Sequence, residues 1–451
     1  MRQALIAPPP LTLYIHIPWC VRKCPYCDFN SHGLRDGLPE AVYVEALTRD
    51  LEFALPAIWG RPIEAVFFGG GTPSLFSPEA IDAILTRVRT LTRLNPLAEI
   101  TLEANPGTFE RERFQGFRDA GVNRLSLGVQ SFNDAHLHAL GRIHSAAEAI
   151  RAAEAAIGLF DSVNLDLMYA LPGQSLAQAE ADLRQAVALG PRHLSAYHLT
   201  LEPNTAFAAK PPSLPDDEAA ADMQERIEAM LMDAGYRHYE TSAFARPGSE
   251  CRHNLNYWLF GDYLGIGAGA HGKLSFHDRI VRQARTKHPD DYLAKAGTSE
   301  AITDERRIAS EELAFEFMMN ALRLNEGFDA RLFQQRTGLP LGRVEPILAE
   351  AEARGLIVRD AQGIAPPGIV AAHDLGEERA PVLDGGEVTC PAQLECLIEP
   401  ILKVTMTAFY GPILMGDPAI VAGGLHLVIG AQGGIAGPQI FLGILLQVGE
   451  R

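Results

Sequence analysis

Between residues 11 and 205, short runs of apolar or β-branched residues alternate with longer segments rich in Ala, Leu, Glu and Arg. The short runs predict strands and the longer segments predict helices. Strands that alternate with helices of this length form βαβ units and a parallel sheet, here an α/β barrel, full or partial. The predicted strands are LTLYIHI, AVFFGGG, EITLEANP, RLSLGVQS, SVNLDLMYALP and HLSAYHLTLEP, and the predicted helices lie at 39–57, 78–93, 109–120, 146–158 and 175–189.

After the sixth strand the pattern becomes less regular. Residues 205–300 contain a predicted helix at about 216–234 and the glycine-rich turn GDYLGIGAGAHG, and we expect this region to complete or cap the barrel. A second, small domain begins near Ser310, which we predict as the helix N-cap of SEELAFEFMMNALRLNEGF. Helices at about 329–336 and 342–354, followed by GLIVRD, predict a winged-helix-like unit. The predicted domains are 1–300, 301–363 and a tail at 364–451.

The tail has an unusual composition. Residues 418–449 contain no charged side chain and eight glycines. This run is longer than the roughly 20 residues that span a bilayer, but its glycine content disfavours an isolated helix. Both membrane contact and a buried or poorly ordered segment therefore stay open for the tail.

Charge and cysteine content narrow the class of protein. The chain has 39 Lys and Arg against 56 Asp and Glu, a net charge of −17, which argues against a nucleic-acid partner. Three of its six cysteines fall within eight residues, which is a poor layout for a disulfide framework. The N-terminal apolar run is short and interrupted by prolines, unlike a signal peptide. We therefore expect a cytoplasmic protein in a reducing compartment.

The clustered thiols are Cys20, Cys24 and Cys27 in HIPWCVRKCPYCDFN. A zinc site would need a fourth ligand, for which His16 and His32 are near in sequence, and a disulfide would leave one thiol over. An iron–sulfur cluster held by three thiolates would keep one iron open for another ligand. The C-x3-C-x2-C spacing, with an aromatic residue before the last cysteine, resembles the signature of the radical S-adenosylmethionine (SAM) superfamily.

Polar and glycine residues follow several of the predicted strands. In FFGGGTPS, glycines would let the backbone approach a ligand closely, although such a stretch can also be an ordinary turn. Glu103, Gln130 and Asp166 lie at successive strand ends, where each could simply cap a helix. Because the carboxyl ends of parallel strands meet at one barrel mouth, we expect the three to converge. They could accept from ribose hydroxyls, and Arg142 could donate to a methionine carboxylate.

Taken together, YIHIPWCVRKCPYCDFNSH, FFGGGTPSL, EANPG, RLSLGVQSF, LGRIHS and DLMYALPGQ resemble the anaerobic coproporphyrinogen oxidase family, over roughly residues 11–363. Its oxidases have a further cysteine where this chain has Phe29, and an N-terminal extension that this chain lacks. Both departures favour the branch of HemW-type heme chaperones. The resemblance implies a radical SAM partial (β/α)6 barrel, a [4Fe–4S] cluster on Cys20, Cys24 and Cys27, and SAM contacts from Tyr14, Tyr26, Gly70, Gly71, Thr72, Glu103, Gln130, Arg142 and Asp166.

The segment CRHNLNYW, residues 251–258, resembles the heme-binding motif of that branch. A neutral imidazole is a good axial ligand for heme iron, and Tyr257 and Trp258 offer flat faces to a macrocycle. We predict His253 as a single, partly exposed axial ligand, with Cys251 as a second candidate, against the alternative of a loop histidine beside core aromatics. The expected partners are heme, heme-accepting proteins, some membrane-associated, and a second copy of the chain.

Two functions remain at this point. In the first, the protein carries heme to acceptor proteins. In the second, it is an oxidase in which SAM is cleaved and the resulting radical abstracts hydrogen from the propionate side chains of a porphyrinogen. Phe29 and HNLNYW favour the first.

Overall fold

The alternating pattern forms one large sheet in the computed structural model, which describes residues 5, 7–34, 37–107, 110–360 and 363–367. Nearly all of the predicted tail, including its uncharged run, lies outside these residues. Within them, no helix is long and apolar enough to cross a membrane.

The strands are β1 Leu11–Ile17, β2 Trp19–Cys20, β3 His32–Gly33, β4 Pro62–Gly70, β5 Arg93–Ala104, β6 Arg124–Gln130, β7 Ser162–Tyr169, β8 His193–His198, β9 Arg237–Glu240, β10 Ala243–Ala245, β11 Asp262–Ile266, β12 His271–Ser275, β13 Ile280–Arg285, β14 Ile302–Arg307, β15 Val358–Arg359 and β16 Ile364–Ala365. The helices are α1 Glu40–Ile58, α2 Pro78–Leu91, α3 Glu110–Ala120, α4 Asp134–Ala139, α5 Ala146–Ile157, α6 Leu176–Leu189, α7 Ala206–Ala209, α8 Asp217–Asp233, α9 Arg252–Trp258, α10 Pro289–Lys295, α11 Ser310–Ala321, α12 Ala330–Thr337 and α13 Glu345–Ala353.

Twelve strands pair in the order β14-β13-β12-β11-β1-β4-β5-β6-β7-β8-β10-β9. The six predicted strands are β1 and β4 to β8, and they are adjacent and parallel, as predicted. From the region expected to complete the barrel, β11 joins β1 as a seventh parallel strand. Antiparallel strands then extend both ends of the sheet.

The two faces of the parallel strands differ in chemistry because successive side chains point to opposite faces. Leu13, Val66, Leu102, Leu125 and Leu165 belong to the large apolar core that also contains the buried faces of the surrounding helices. The alternate positions are polar, and across β5 to β8 the aligned residues are Glu103, Ser126, Asn164 and His193. The sheet thus has an apolar outer face that stabilises the fold and a polar inner face.

Local signals set the helix ends. Ser77 caps α2 by accepting from the Ala80 N–H, and a capping box of Ser145 and Glu148 begins α5. The prediction of Ser310 as an N-cap is wrong. Ala309 is the N-cap of α11, because the Glu312 carboxylate reaches back to accept the Ala309 N–H at 3.2 Å.

A second apolar core surrounds Phe317 and includes Phe333 and Leu348 from α12 and α13. Phe260 and Ile280 also belong to it, so the C-terminal helices pack on residues that precede them by many positions. The domain boundaries at 300/301 and 363/364 stay predictions.

A buried ion pair joins α1 to the strands beyond β11. Asp50 is 1% exposed and accepts hydrogen bonds from Arg285 Nε at 2.9 Å and Tyr292 OH at 2.9 Å. The Gly267 N–H, at the end of β11, donates to the same carboxylate at 3.2 Å. Asp50 therefore fixes the end of β11 against α1.

We predict that Asp50→Ala lowers the free energy of unfolding by about 3–5 kcal/mol, because it leaves the Arg285 charge buried without its partner. Denaturant unfolding of this variant, compared with Asp82→Ala at an exposed position of α2, measures the effect. A loss equal to that of the exposed control would contradict this role for Asp50.

Candidate functional site

The three clustered cysteines lie just after β1. Cys20 ends the short strand β2, and Cys24 and Cys27 follow in the adjoining loop, where the Cys27 N–H donates to the Cys24 carbonyl at 3.2 Å. All three are free thiols of intermediate exposure, and burial raises the pKa of the Cys20 and Cys27 thiols. Within the described part of the chain, no three His, Cys, Asp or Glu side chains are grouped to hold a single metal ion.

A chain of hydrogen bonds connects two of these thiols through two strand ends. Thr72 Oγ1, after β4, donates to Cys20 Sγ at 3.5 Å and accepts from Asn105 Nδ2, after β5, at 2.9 Å. Arg142 Nη2 donates to Asn105 Oδ1 at 2.5 Å, and Arg142 Nη1 donates to Cys24 Sγ at 3.7 Å. These hydrogen bonds connect the cysteine loop to the mouth of the barrel.

Asn105 is a site residue that sequence reasoning missed. It stands two positions after Glu103 in EANPG, and two residues of a strand separated by one position share a face. The two-position spacing from Glu103 could therefore have identified Asn105 as a site residue.

The glycine stretch packs against the base of the cysteine loop. A Cβ atom on Gly70, whose φ is +115°, would lie 2.6 Å from the His16 ring, and one on Gly71 would lie 2.5 Å from the Trp19 carbonyl oxygen. The N–H groups of Gly71 and Thr72 donate to the carbonyls of Ile17 and Trp19. These N–H groups are therefore engaged within the protein, and the assignment of Gly70, Gly71 and Thr72 as ligand contacts stays a prediction.

Two buried carboxyl groups lie near each other on the inner face. Burial, and after it the neighbouring Asp166, raise the pKa of Glu103 to about 8, although the Gly70 N–H donates to Glu103 Oε2 at 3.3 Å. Burial also raises the pKa of Asp166, which accepts from Asn164 Nδ2 at 2.7 Å and Ser126 Oγ at 3.1 Å. The structure thus brings together the ends of β5 and β7, as expected for this pair.

Gln130 and Arg142 meet near Gly128. Gln130 ends β6 with a φ of +68°, an uncommon value for a residue other than glycine. A Cβ on Gly128 would lie 3.0 Å from Gln130 Nε2 and 2.8 Å from Asn105 Oδ1, and Arg142 Nη2 donates to the Gly128 carbonyl at 2.8 Å. The Arg142 guanidinium is thus fixed by Gly128, Asn105 and Cys24.

The two predicted tyrosines border the site from different sides. Tyr14 OH lies 3.1 Å from His16 Nδ1, and the Tyr14 ring stacks on Phe67 at 6.3 Å between centroids. Tyr26 packs against an apolar cluster around Leu171, and burial raises the pKa of its hydroxyl.

His253 lies inside the barrel, because α9 packs against β4, β1 and β11. The expectation of a partly exposed imidazole is wrong, since His253 is 3% exposed and stacks on Phe67 at 4.9 Å. Its Nδ1 is buried and has no hydrogen-bond partner among the described residues. Burial, and after it Arg124, lower the pKa of His253 to about 3, so the imidazole is neutral at physiological pH.

Cys251, the second candidate iron ligand, is buried at the N-terminus of α9. Its Sγ donates to Glu99 Oε1 at 3.6 Å. Burial raises the pKa of this thiol to about 12. Cys251 is thus a neutral thiol bound to a carboxylate.

Comparison with known proteins gives matches over most of the chain. The family model of the Radical SAM superfamily matches residues 14–186, and that of the HemN C-terminal domain matches residues 308–367. The protein named heme chaperone HemW of Escherichia coli strain K12 is 51% identical over 351 residues, covering 77% of this chain and 92% of that protein. Its counterpart in Haemophilus influenzae is 50% identical, covering 78% and 93%.

More distant matches agree with these. A mouse protein named radical S-adenosyl methionine domain-containing protein 1, mitochondrial, is 38% identical, covering 78% of this chain and 83% of that protein. The solved structure of E. coli coproporphyrinogen III oxidase superposes with a TM-score of 0.68 at 24% identity, covering 88% of this chain and 90% of that one. This likeness concerns the fold, and with the superfamily match it confirms the predicted fold class. The chain belongs to the HemW heme-chaperone family of the radical SAM superfamily.

Proposed function

We propose that this protein is a heme chaperone that carries a [4Fe–4S] cluster and SAM, binds heme and transfers it to acceptor proteins. The observation that carries the heme assignment is the buried, neutral His253 imidazole, whose Nδ1 lacks a partner among the described residues. The names of the HemW relatives, of which this chain covers more than nine-tenths, support the same function.

The donor set of the cysteine loop fits an iron–sulfur cluster. When bound by Cys20, Cys24 and Cys27, such a cluster supplies one open iron that can take the amino and carboxylate groups of SAM. Thr72 donates to Cys20 Sγ and Arg142 donates to Cys24 Sγ, and sulfur atoms bound to a cluster could accept the same two hydrogen bonds. Arg142 also brings a positive charge to the loop, which could bind the carboxylate of SAM.

The inner carboxyl groups support a SAM site beside that loop. Burial disfavours the charged forms of Glu103 and Asp166, and the charge of Asp166 further disfavours the charged form of Glu103. Such an unfavourable pair is typical of a binding site rather than of a structural core. We assign Glu103 and Asp166 as acceptors for SAM hydroxyls, with Tyr14, Tyr26 and Gln130 bordering the same mouth.

The heme site requires a movement of the chain. His253 is enclosed by Phe67 and Tyr257, whose ring centroids lie 4.9 and 4.8 Å from its own. A macrocycle would reach His253 only if α9 moved away from β4, and the neutral imidazole could then bind iron without first losing a proton. The rings that enclose His253 would afterwards offer apolar faces to the heme.

The remaining expectations belong to this proposal. We propose a cytoplasmic location, acceptor proteins that include membrane-associated ones, and a homodimer. The tail predicted at 364–451 begins with Ile364 and Ala365 of β16, so we propose only its part after residue 367 as an appendage to the heme-binding part. Phe29, which is 46% exposed on the cysteine loop, supports the chaperone over the oxidase, because the oxidases carry a cysteine at this place.

We predict that the anaerobically reconstituted protein binds about four irons per chain, the number set by the cluster type. Cys24→Ala should lose the iron and the brown colour, because two thiolates do not hold the cluster. Cys251→Ala, which removes a buried thiol outside the loop, serves as the control and should keep both. Stoichiometric zinc in the parent protein, measured by elemental analysis, would contradict the assignment.

A second prediction uses the pKa of Glu103. Because its pKa is raised from 4.5 to about 8 in the folded protein, Glu103 lowers stability progressively as the pH rises from 4.5 to 8. Between pH 5 and pH 8 the cluster-free parent should lose ~3 kcal/mol more unfolding free energy than Glu103→Gln. Denaturant unfolding at the two pH values measures this difference.

The same variant, when loaded with cluster and measured above pH 8, where Glu103 of the parent is a carboxylate, should bind SAM about tenfold more weakly, since an amide oxygen is a weaker acceptor than a carboxylate. A variant that gains stability at pH 8 and still binds SAM like the parent would show that Glu103 is not a SAM ligand.

The heme prediction concerns His253. His253→Ala should shift or abolish the Soret band of the heme-loaded protein while iron content and SAM affinity stay unchanged, because the cluster site does not include His253. His277→Ala, at an exposed position, is the matched control. An unchanged Soret band in His253→Ala would exclude this ligand, and a parent that binds no heme and releases carbon dioxide from coproporphyrinogen would be an oxidase.

A further inference from the structure

Arg323 is a buried arginine that the site described above does not use. It is 8% exposed, and two of its guanidinium nitrogens, Nε and Nη2, are buried without a hydrogen-bond partner among the described residues. Its nearest carboxylate, Glu240, lies 3.8 Å from Nη2, which is close enough for an ion pair and too far for a hydrogen bond. Buried charged donors are normally hydrogen-bonded, so this arginine lacks acceptors that a ligand could supply.

The backbone holds Arg323 firmly in this position. The Thr241 N–H donates to the Arg323 carbonyl at 3.1 Å, and Leu324 forms an antiparallel bridge with Glu240. The Asn325 N–H then donates to the Tyr239 carbonyl at 3.2 Å. The segment after α11 is thus paired with the end of β9, and it presents a residue of the C-terminal region to the barrel.

Arg323 contacts a second side chain that has an unpartnered donor. Its guanidinium lies over the Trp258 ring at 4.3 Å from the centroid, and Trp258 Nε1 is a further buried donor without a partner in the described part of the chain. Trp258 ends α9, the helix that carries His253. Tyr197 interacts electrostatically with Arg323, and also with the carboxyl groups of Glu240 and Asp166. Arg323 therefore lies close to the polar interior that contains the inner carboxyl groups.

We infer that Arg323 and Trp258 form a binding site for a carboxylate group. Arg323 Nε, Arg323 Nη2 and Trp258 Nε1 are three unpartnered donors on two side chains that contact each other. A carboxylate has two oxygens that can accept from a guanidinium and from an indole N–H. This inference rests on the proposed function, in which the carboxylate is a propionate of the heme whose iron binds His253. The alternative ligand is the methionine carboxylate of SAM, which has the same chemistry.

The test compares heme with its dimethyl ester, whose propionates carry no charge. The full-length, cluster-loaded parent should bind the ester about ten- to a hundredfold more weakly than heme, as expected for losing a charge-assisted hydrogen bond. Arg323→Gln should bind heme as weakly as the ester and bind both equally. Arg331→Gln, an exposed arginine on α12, should behave like the parent.

If Arg323→Gln does not fold, Glu240→Gln tests the same carboxylate site. Glu240→Gln removes the carboxylate that competes for Arg323, so it should tighten heme binding at least about twofold and leave the ester unchanged. Equal effects on heme and ester, or none, would overturn the inference.

These outcomes distinguish a failure of the Arg323 site from a failure of the heme-chaperone function. A parent that binds heme and ester with the same affinity overturns the Arg323 site and leaves the heme chaperone standing. A parent that binds neither overturns both. SAM affinity should be unchanged in Arg323→Gln, and a loss of SAM affinity with unchanged heme binding would overturn the propionate assignment in favour of the methionine carboxylate.

Discussion

The functional end of this barrel depends on one chain of hydrogen bonds, from Cys20 through Thr72, Asn105 and Arg142 to Cys24. Within the cysteine loop, Tyr26 packs against the apolar cluster around Leu171, whereas Val21 is exposed. The chain connects it to the ends of β4 and β5, and Gly71 allows the loop to lie against β4 without a side chain between them. Hydrogen bonds within the protein therefore position two of the three thiols, Cys20 and Cys24.

The two faces of the sheet have different roles. The outer face is an apolar core that packs on helices, and it stabilises the fold. The inner face contains two carboxyl groups, Glu103 and Asp166, whose charged forms are disfavoured by burial. His253 and Arg323 have buried nitrogens without a hydrogen-bond partner among the described residues. Under the functions proposed above, these groups are the ones that would bind SAM and heme.

Much of this arrangement could be predicted from the sequence because it is local. Periodicity placed the helices of the barrel within two residues of their observed ends, and strand-end positions identified Glu103 and Asp166. Non-local contacts could not be predicted in this way: β11 pairs with β1 across some 250 residues, and Arg323 reaches the barrel through the pairing of its segment with β9. The burial of His253 was missed for the same reason, since it depends on where α9 packs.

We propose that three cysteines hold a cluster whose fourth iron is open to SAM. The decisive measurement is Mössbauer spectroscopy of protein reconstituted with ⁵⁷Fe, recorded with and without SAM. SAM should change the signal of one iron in about four, because the other three keep their thiolate ligands. Four irons that are unaffected by saturating SAM, or that all change alike, would contradict it.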